Sequence, residues 1–585
     1  MCPADRQLRS NLSNDSHRRI RNTCLLAGED YGTRRLSIGR AFEPIGGRAR
    51  ALKSAVEKWN FMPTQIVAVT ADSRDDAGRR WVTSGEAVVL YIAFVKFGLH
   101  LFAGRHYGYF VDELYYLACS EHLDWGYVDQ PPLIAVLTKV VRLLLGDTLP
   151  AIRLLPAMAG AGTVLLAGLM ARELGGRRFA QGLAALAVLV APGFLSIDNL
   201  MTMNAFEPLF WGGCAYVLIR IIRRGDQKLW LWFGVLAGFG LLNKHSMLIL
   251  GFGIVVGLLL TPERRFLQSP WAWSGAAIAF VIFLPNLLWN VQHHFPFLEL
   301  QANIRSEGRN VQIPPLKFLG ELTLTMLPLT LPIWLAGLWH FLFSEKGRAF
   351  RALGWACVVI IAVIMVLNPR VYYVFPTLPI LFAAGGVVWE TWLERPRLRW
   401  VKKVYAAAMI SVSAVFLPFA IPVLPVESYI RYSEWMHFQP PRIETHTLGP
   451  LPQLYADQFG WEEMVVTVAN VYNNLPPPVR AKTAIFGQNY GQAGAVDLFG
   501  SKYRLPKAIS GHQNYFLWGP RDYTGESVIV MRGKQEELEG WYANVEKVAA
   551  VNHSYSMPYE HFDVFYCRNL KWPLKDVWPK VKNWN

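Results

Sequence analysis

Asp112 and Glu113 are the residues best placed to do chemistry. They are adjacent carboxylates that follow a long apolar run, Ala87 to Ala103. Aromatic side chains crowd around them: Tyr107, Tyr109, Phe110, Tyr115, Tyr116, Trp125 and Tyr127. A third acid, Asp129, opens the segment Asp129-Gln130-Pro131-Pro132. Acids at the mouth of a membrane helix need a reason, since a carboxylate at the bilayer centre costs about 2.5–3.5 kcal/mol even on the lenient insertion scale. Residue types alone leave two readings open, a catalytic pair or a water-exposed acidic loop beside an interfacial aromatic belt.

The elements that must position this pair are membrane helices. The 585 residues are 52% hydrophobic and only 17% charged, well below the charged share of about 25% usual in soluble domains. Long apolar runs recur from Glu86 onward and predict about eleven transmembrane helices, near 86–104, 150–171, 179–197, 203–222, 229–243, 246–261, 271–289, 316–343, 352–368, 371–393 and 403–425. The run Pro131 to Leu145 is too short to span comfortably and reads as an interfacial or re-entrant helix. Gly234/Gly238 and Gly253/Gly257 have the spacing of close helix packing.

Charge then gives an orientation. Five alternate loops are basic: Arg172, Arg177 and Arg178; Arg220, Arg223, Arg224 and Lys228; Arg264 and Arg265; Lys346, Arg348 and Arg351; Arg395, Arg397, Arg399, Lys402 and Lys403. Loops of that kind face the cytoplasm. Most of the net charge of +15 therefore belongs to a lipid-facing cytoplasmic surface, which argues against nucleic acid as a partner. The opposite loops carry Asp112, Glu113 and Asp129; Asp198 and Asn199; Lys244 and His245; His293, His294 and Glu299; and Asn368, Arg370, Tyr372 and Tyr373. Ionisable groups gathered at one membrane face form a candidate site.

Three regions follow. Residues 1–83 read as a basic, disordered cytoplasmic tail or an over-extended start, without the apolar stretch of a secretory signal. Residues 84–429 form the membrane domain, with an outer-face loop over 105–149. Residues 430–585 hold no run of membrane length and read as a small extracytoplasmic α/β domain. Strands are expected at Ala484-Ile485-Phe486 and Ser527 to Val530, and helices at Trp461 to Tyr472 and Gln535 to Val545. Six scattered cysteines show no CxxC spacing, and a Cys119–Cys567 disulfide would need both to face outward.

The order Asp112-Glu113-Leu114-Tyr115-Tyr116 after a first membrane helix, then a short loop ending in Gln130-Pro131-Pro132-Leu133, resembles the integral-membrane glycosyltransferases that use polyprenyl-phosphate sugars. These include the protein O-mannosyltransferases, the lipid A aminoarabinose transferases and their bacterial relatives, with the glycosyltransferase-C kind of fold. The resemblance extends more weakly over roughly 86–425. It implies an enzyme of the plasma (inner) membrane, with a cytoplasmic N-terminus and an extracytoplasmic C-terminal domain. The enzyme would move a sugar from a polyprenyl-phosphate donor to a lipid, glycan or protein acceptor with inverted stereochemistry.

Such transfer needs a base for the acceptor hydroxyl, donors for the departing phosphate and a groove for the prenyl chain. The resemblance puts Asp112 forward as base, with Glu113 assisting, binding a divalent cation, or simply pairing with Arg105. Relatives often carry Lys where this chain has neutral Gln130, so the phosphate needs charge from Lys244, Arg370 or a metal. Arg370-Val371-Tyr372-Tyr373 resembles the basic-aromatic segment that meets the donor phosphate in relatives, and a planar guanidinium suits that task. Lys244 and His245 resemble a Lys-Tyr pair of relatives, and Asp198-Asn199 sits where relatives carry an outward Asp, a candidate substrate contact. His293-His294 read as loop residues rather than ligands, and the metal requirement stays open. The rival reading is a transporter or flippase of lipid-linked saccharides, for which polar groups at mid-membrane depth would be expected.

Overall fold

Apolar runs in lipid must satisfy every backbone N–H and C=O internally, which leaves helices as the solution. The computed structural model describes residues 82–585 apart from 368, 369 and 443. The basic tail expected over 1–83 therefore lies almost wholly outside the described residues. Among the described residues seven helices are long and apolar enough to cross a membrane, or up to nine if two bent pairs each make one span. The expected span at 179–197 is realised as a shorter helix, Arg178–Val190, while that at 229–243 keeps its bounds as Leu229–Asn243, 15 residues long. Helix Arg178–Val190 stops because Ala191 is extended before Pro192, which restarts a separate turn. The expected continuous span at 316–343 is likewise broken. It bends by 98° between Thr325 and Pro328, where Leu327 has φ +67°.

Close approach of backbones explains the paired glycines. A Cβ at Gly234 would lie 2.1 Å from the carbonyl oxygen of Gly275 in helix Pro270–Gln292, and one at Gly257 would lie 2.1 Å from that of Ala352 in helix Arg351–Leu367. The glycine spacing thus marks real helix contacts. Basic loops meet at one end of the bundle. Glu173 binds Arg223 and Arg224, Arg172 binds Glu86, and Glu390 accepts from the backbone of Arg177 and Phe179.

Helix Val111–Glu121 and the amphipathic helix Leu133–Leu145 join the membrane bundle to the C-terminal region. There a five-stranded sheet has the order β2-β1-β3-β5-β4. Its strands are β1 Thr483–Gly487, β2 Ile509–Ser510, β3 Ser527–Met531, β4 Tyr542–Val551 and β5 Phe562–Leu570. β1 pairs in parallel with β2 and β3, while β3/β5 and β5/β4 are antiparallel. The strands expected at 484–486 and 527–530 and the helix from Trp461 are present. The helix expected over 535–545 ends at Trp541, because Tyr542 onward pairs with β5 along its length. Cross-strand pairing there outweighs a helical pattern in the sequence.

The boundary at 430 is no gap in packing. One buried cluster joins Leu114, Tyr115, Tyr116 and Cys119 to Trp461, Val465, Ile485, Ala493, Tyr515 and Ile529. The acidic helix and the α/β region share a core. Cys119 and Cys567 are both buried and free, so the disulfide does not form.

Candidate active site

Helix periodicity separates the acidic pair. Successive helical residues point about 100° apart, so Asp112 and Glu113 cannot face the same way. Phe110 is extended and caps helix Val111–Glu121, and Glu113 reaches back to accept from its N–H at 2.9 Å. Arg153 then grips Glu113 bidentately, Nε to Oε1 at 2.9 Å and Nη2 to Oε2 at 2.8 Å, and the Met201 N–H adds a fourth bond at 2.8 Å. Glu113 is buried with its acceptor sites filled. It pairs with Arg153, not Arg105, and holds three segments together.

Asp112 turns the other way, into a cavity of about 980 Å³ between the bundle and the α/β region. Its Oδ1 accepts from the Tyr490 hydroxyl at 2.8 Å. Burial raises the Asp112 pKa above the usual carboxylate value, the Tyr490 bond opposes that, and Glu444 raises it further against Arg309 and Arg370. A raised pKa makes a carboxylate a stronger base while it stays ionised. Tyr490 is itself wedged between Tyr115, ring centroids 4.7 Å apart, and His512, stacked on it 4.8 Å away and almost parallel. Asp129, on the same cavity, accepts from the Tyr115 hydroxyl at 3.0 Å, and burial carries its pKa up to about 7.

The cavity also gathers the cations. Lys244 follows the last turn of helix Leu229–Asn243 in an extended conformation. Its Nζ donates to Asn204 at 2.8 Å and Glu207 at 3.0 Å and lies 4.0 Å from the Tyr373 ring centre. Tyr372 and Tyr373 stack at 4.9 Å beside it. Arg370 donates Nε–H to Asn310 at 3.2 Å and pairs with Glu444. Arg309 binds the same Glu444 oxygen at 3.2 Å. His245 lines the cavity too, with Nε2 3.2 Å from the Asn286 side-chain oxygen.

Other candidates lie elsewhere. Gln130 is buried off the cavity wall, its amide 3.8 Å from the Cys119 sulfur. Asp198 forms a buried ion pair with Lys96 at 2.8 Å, and Asn199 is buried beside it; neither lines the cavity. His293 stacks on Trp289, outside the cavity. Among the described residues no three His, Cys, Asp or Glu side chains stand together as metal ligands.

Several lining residues were not singled out from the sequence: Arg309, Glu444, Asp457, Tyr490, His512 and Glu560. Asp457 accepts from Tyr559 at 2.8 Å, and burial pushes its pKa to about 8. His512 is pushed down to about 4 by burial and by Arg309, and its Nδ1 accepts from the Tyr490 N–H at 3.1 Å, so it stays neutral near pH 7. Only the polar character of these stretches signalled them.

Residues 129–289 match the family described as dolichyl-phosphate-mannose-protein mannosyltransferase. The lipid A galacturonosyltransferase RgtD of Rhizobium johnstonii is 28% identical over 186 residues, 32% of this chain and 39% of that protein. The lipopolysaccharide core galacturonosyltransferase RgtB of the same organism is 28% identical over 173 residues, 29% of this chain and 35% of that one. The matches thus span little more than a third of these relatives. The crystal structure of ArnT from Cupriavidus metallidurans bound to undecaprenyl phosphate superposes with a TM-score of 0.55 at 15% identity, over 82% of this chain and 97% of that one. The apo state of the same protein gives 0.51. In fold over most of its length, and in sequence over part of its membrane domain, the chain is similar to the integral-membrane glycosyltransferases that the Asp112-Glu113 segment resembles.

Proposed function

We propose that the chain transfers a sugar from a polyprenyl-phosphate donor to an acceptor hydroxyl outside the cytoplasm, with Asp112 as the base. One observation carries this reading: Asp112 opens onto the same cavity as Lys244, Arg309 and Arg370. A carboxylate of raised pKa therefore faces the groups best able to hold a phosphate. In the proposed step the acceptor oxygen attacks the anomeric carbon while Asp112 takes its proton. The bond from that carbon to the phosphate oxygen breaks, and the phosphate leaves with the electron pair. Lys244, Arg309 and Arg370 stabilise the charge it gains. Tyr372 and Tyr373 flank Lys244 and keep it oriented toward that charge.

The solved neighbour was crystallised with undecaprenyl phosphate, and RgtD is named for lipid A, which favours a prenyl-phosphate donor and an envelope lipid or glycan acceptor. Glu113 has a supporting part in this scheme, since its bonds to Arg153, Phe110 and Met201 fix the turn that aims Asp112. The cavity end of the bundle faces away from the cytoplasm in this reading, and the α/β region caps it by supplying Tyr490.

Mass spectrometry of acceptor lipids tests the reading, using purified protein in nanodiscs with synthetic undecaprenyl-phosphate sugars and lipid A. A mass increase by one sugar residue is expected. In sealed proteoliposomes, movement of the donor across the bilayer without any sugar transfer would favour the transporter instead.

A further inference from the structure

Glu444 sits where a carboxylate is hard to explain by stability alone. Its side chain is only 5% exposed, while those of Arg309 and Arg370 are about a quarter exposed and line the cavity. Both guanidiniums bind the same oxygen, Oε1. The other oxygen, Oε2, accepts from Gln453 Nε2 at 2.9 Å and lies 3.4 Å from His446 Nε2. The two arginines come from separate loops, one after helix Pro296–Ser306 and one before helix Leu378–Trp392. An isolated bridge between Asn310 and Glu444 holds the first of them in place. Two arginines converging on one buried oxygen form a ready-made oxyanion receptor, filled by the protein's own carboxylate.

We propose that Glu444 is a placeholder anion that holds Arg309 and Arg370 in position and yields them to the phosphate as it leaves the sugar. This rests on the phosphate reading given above. The chemistry supplies the reason for a removable partner. A polyprenyl-phosphate sugar is a phosphodiester with one negative charge, and the departing polyprenyl phosphate is a monoester with a second ionisation. Two arginines with one glutamate carry a net charge of +1, which matches the donor. Freed from Glu444 they carry +2, which matches the product, so the arrangement strengthens as the bond breaks.

The handover has a proton signature. Burial pushes the Glu444 pKa up, and Arg309 and Arg370 outweigh that and hold it below the usual value, helped by Gln453 and His446. Asp112, Asp457 and Tyr559 also face it. Once the arginines turn to phosphate, burial and the negative charge of the phosphate itself dominate. The carboxylate then takes up a proton, so product binding becomes tighter as pH falls over the range where Glu444 titrates in the loaded state.

Calorimetry with undecaprenyl phosphate in nanodiscs, run in buffers of different ionisation enthalpy, reads this uptake. We expect proton uptake by Glu444 in the unaltered protein, superimposed on any proton that the phosphate monoester itself releases. In Glu444→Gln, which keeps an acceptor oxygen but cannot titrate, that share of the uptake disappears and the phosphate binds roughly tenfold tighter. Asp112→Asn, run in parallel, keeps the Glu444 share. Uptake unchanged by Glu444→Gln, or weaker binding in that variant, overturns the placeholder and leaves Glu444 as a fixed strut. No binding of undecaprenyl phosphate to the unaltered protein overturns the phosphate reading itself. A cryo-electron microscopy structure of the unaltered, loaded protein decides the matter even if the variant does not fold. Arg309 and Arg370 should lie on the phosphate with Glu444 beyond 4 Å of both; an intact Arg309–Glu444–Arg370 cluster refutes the handover.

Discussion

Removing the Tyr490 hydroxyl should shift the pH dependence of turnover without disturbing the fold. Tyr490→Phe keeps the ring that packs between Tyr115 and His512, and deletes only the 2.8 Å bond to Asp112. That bond favours the ionised carboxylate, so its loss raises the Asp112 pKa beyond the value already lifted by burial. A hydrogen bond to a charged group is worth about 1.5–3 kcal/mol, and one pKa unit is about 1.4 kcal/mol. Asp112 is only partly buried on the cavity wall, so we take the low end and expect a shift of roughly one unit. The sign follows: a base must be ionised, so the acid limb of kcat/KM moves to higher pH. Turnover falls about tenfold at a pH on that limb and changes little on the plateau. The assay is a pH–rate profile of sugar transfer in nanodiscs from pH 4.5 to 9. An acid limb that stays put or moves to lower pH would refute the link between the α/β region and the base.

Glu113→Gln should destabilise the protein by about 3–5 kcal/mol, because it strands the buried Arg153 without its counter-charge. Thermal unfolding in detergent reads this, and near-wild-type stability would contradict the structural role assigned to Glu113. Arg370→Ala should raise KM for the donor at least tenfold, and Arg370→Lys should restore only part of it, because an ammonium cannot replace the planar fork. Unchanged donor affinity in Arg370→Ala would move the phosphate contact to Lys244 and Arg309. Single-cysteine labelling should reach Asp226 from the cytoplasm, and Trp125, Arg305 and Ser501, all exposed, only from the opposite side. Labelling of Trp125 from the cytoplasm would invert the topology.

The sequence made legible what depends on local pattern. Apolar runs announced the bundle, glycine spacing announced two helix contacts, and the order Asp112-Glu113-Leu114-Tyr115-Tyr116 announced the acid that faces the cavity. Arg370, Tyr372, Tyr373, Lys244 and His245 also line it. What stayed hidden depends on distance along the chain. Arg153 lies 40 residues from Glu113, and nothing local distinguishes it from Arg105 as a partner. Tyr490 is 378 residues from Asp112 and begins a helix with no motif of its own. Glu444 looks like any loop acid until Arg309 and Arg370 fold onto it. Asp198 and Gln130 show the converse. A polar residue at the outer end of a helix reads as a site residue, yet Lys96 neutralises one and the protein interior encloses the other. Pattern gives helices and motifs, while tertiary packing decides which polar groups share a cavity.

The central claim is that Asp112 is the base. Asp112→Asn keeps the shape and the neighbour Tyr490 but removes the charge that accepts the proton. The decisive measurement is turnover of sugar transfer from a synthetic undecaprenyl-phosphate sugar by the purified variant in nanodiscs, beside binding of undecaprenyl phosphate to the same sample. Loss of general-base assistance predicts a fall in kcat of roughly 100-fold or more, with lipid-phosphate binding retained. Turnover close to that of the unaltered protein would contradict the assignment of Asp112 as the base.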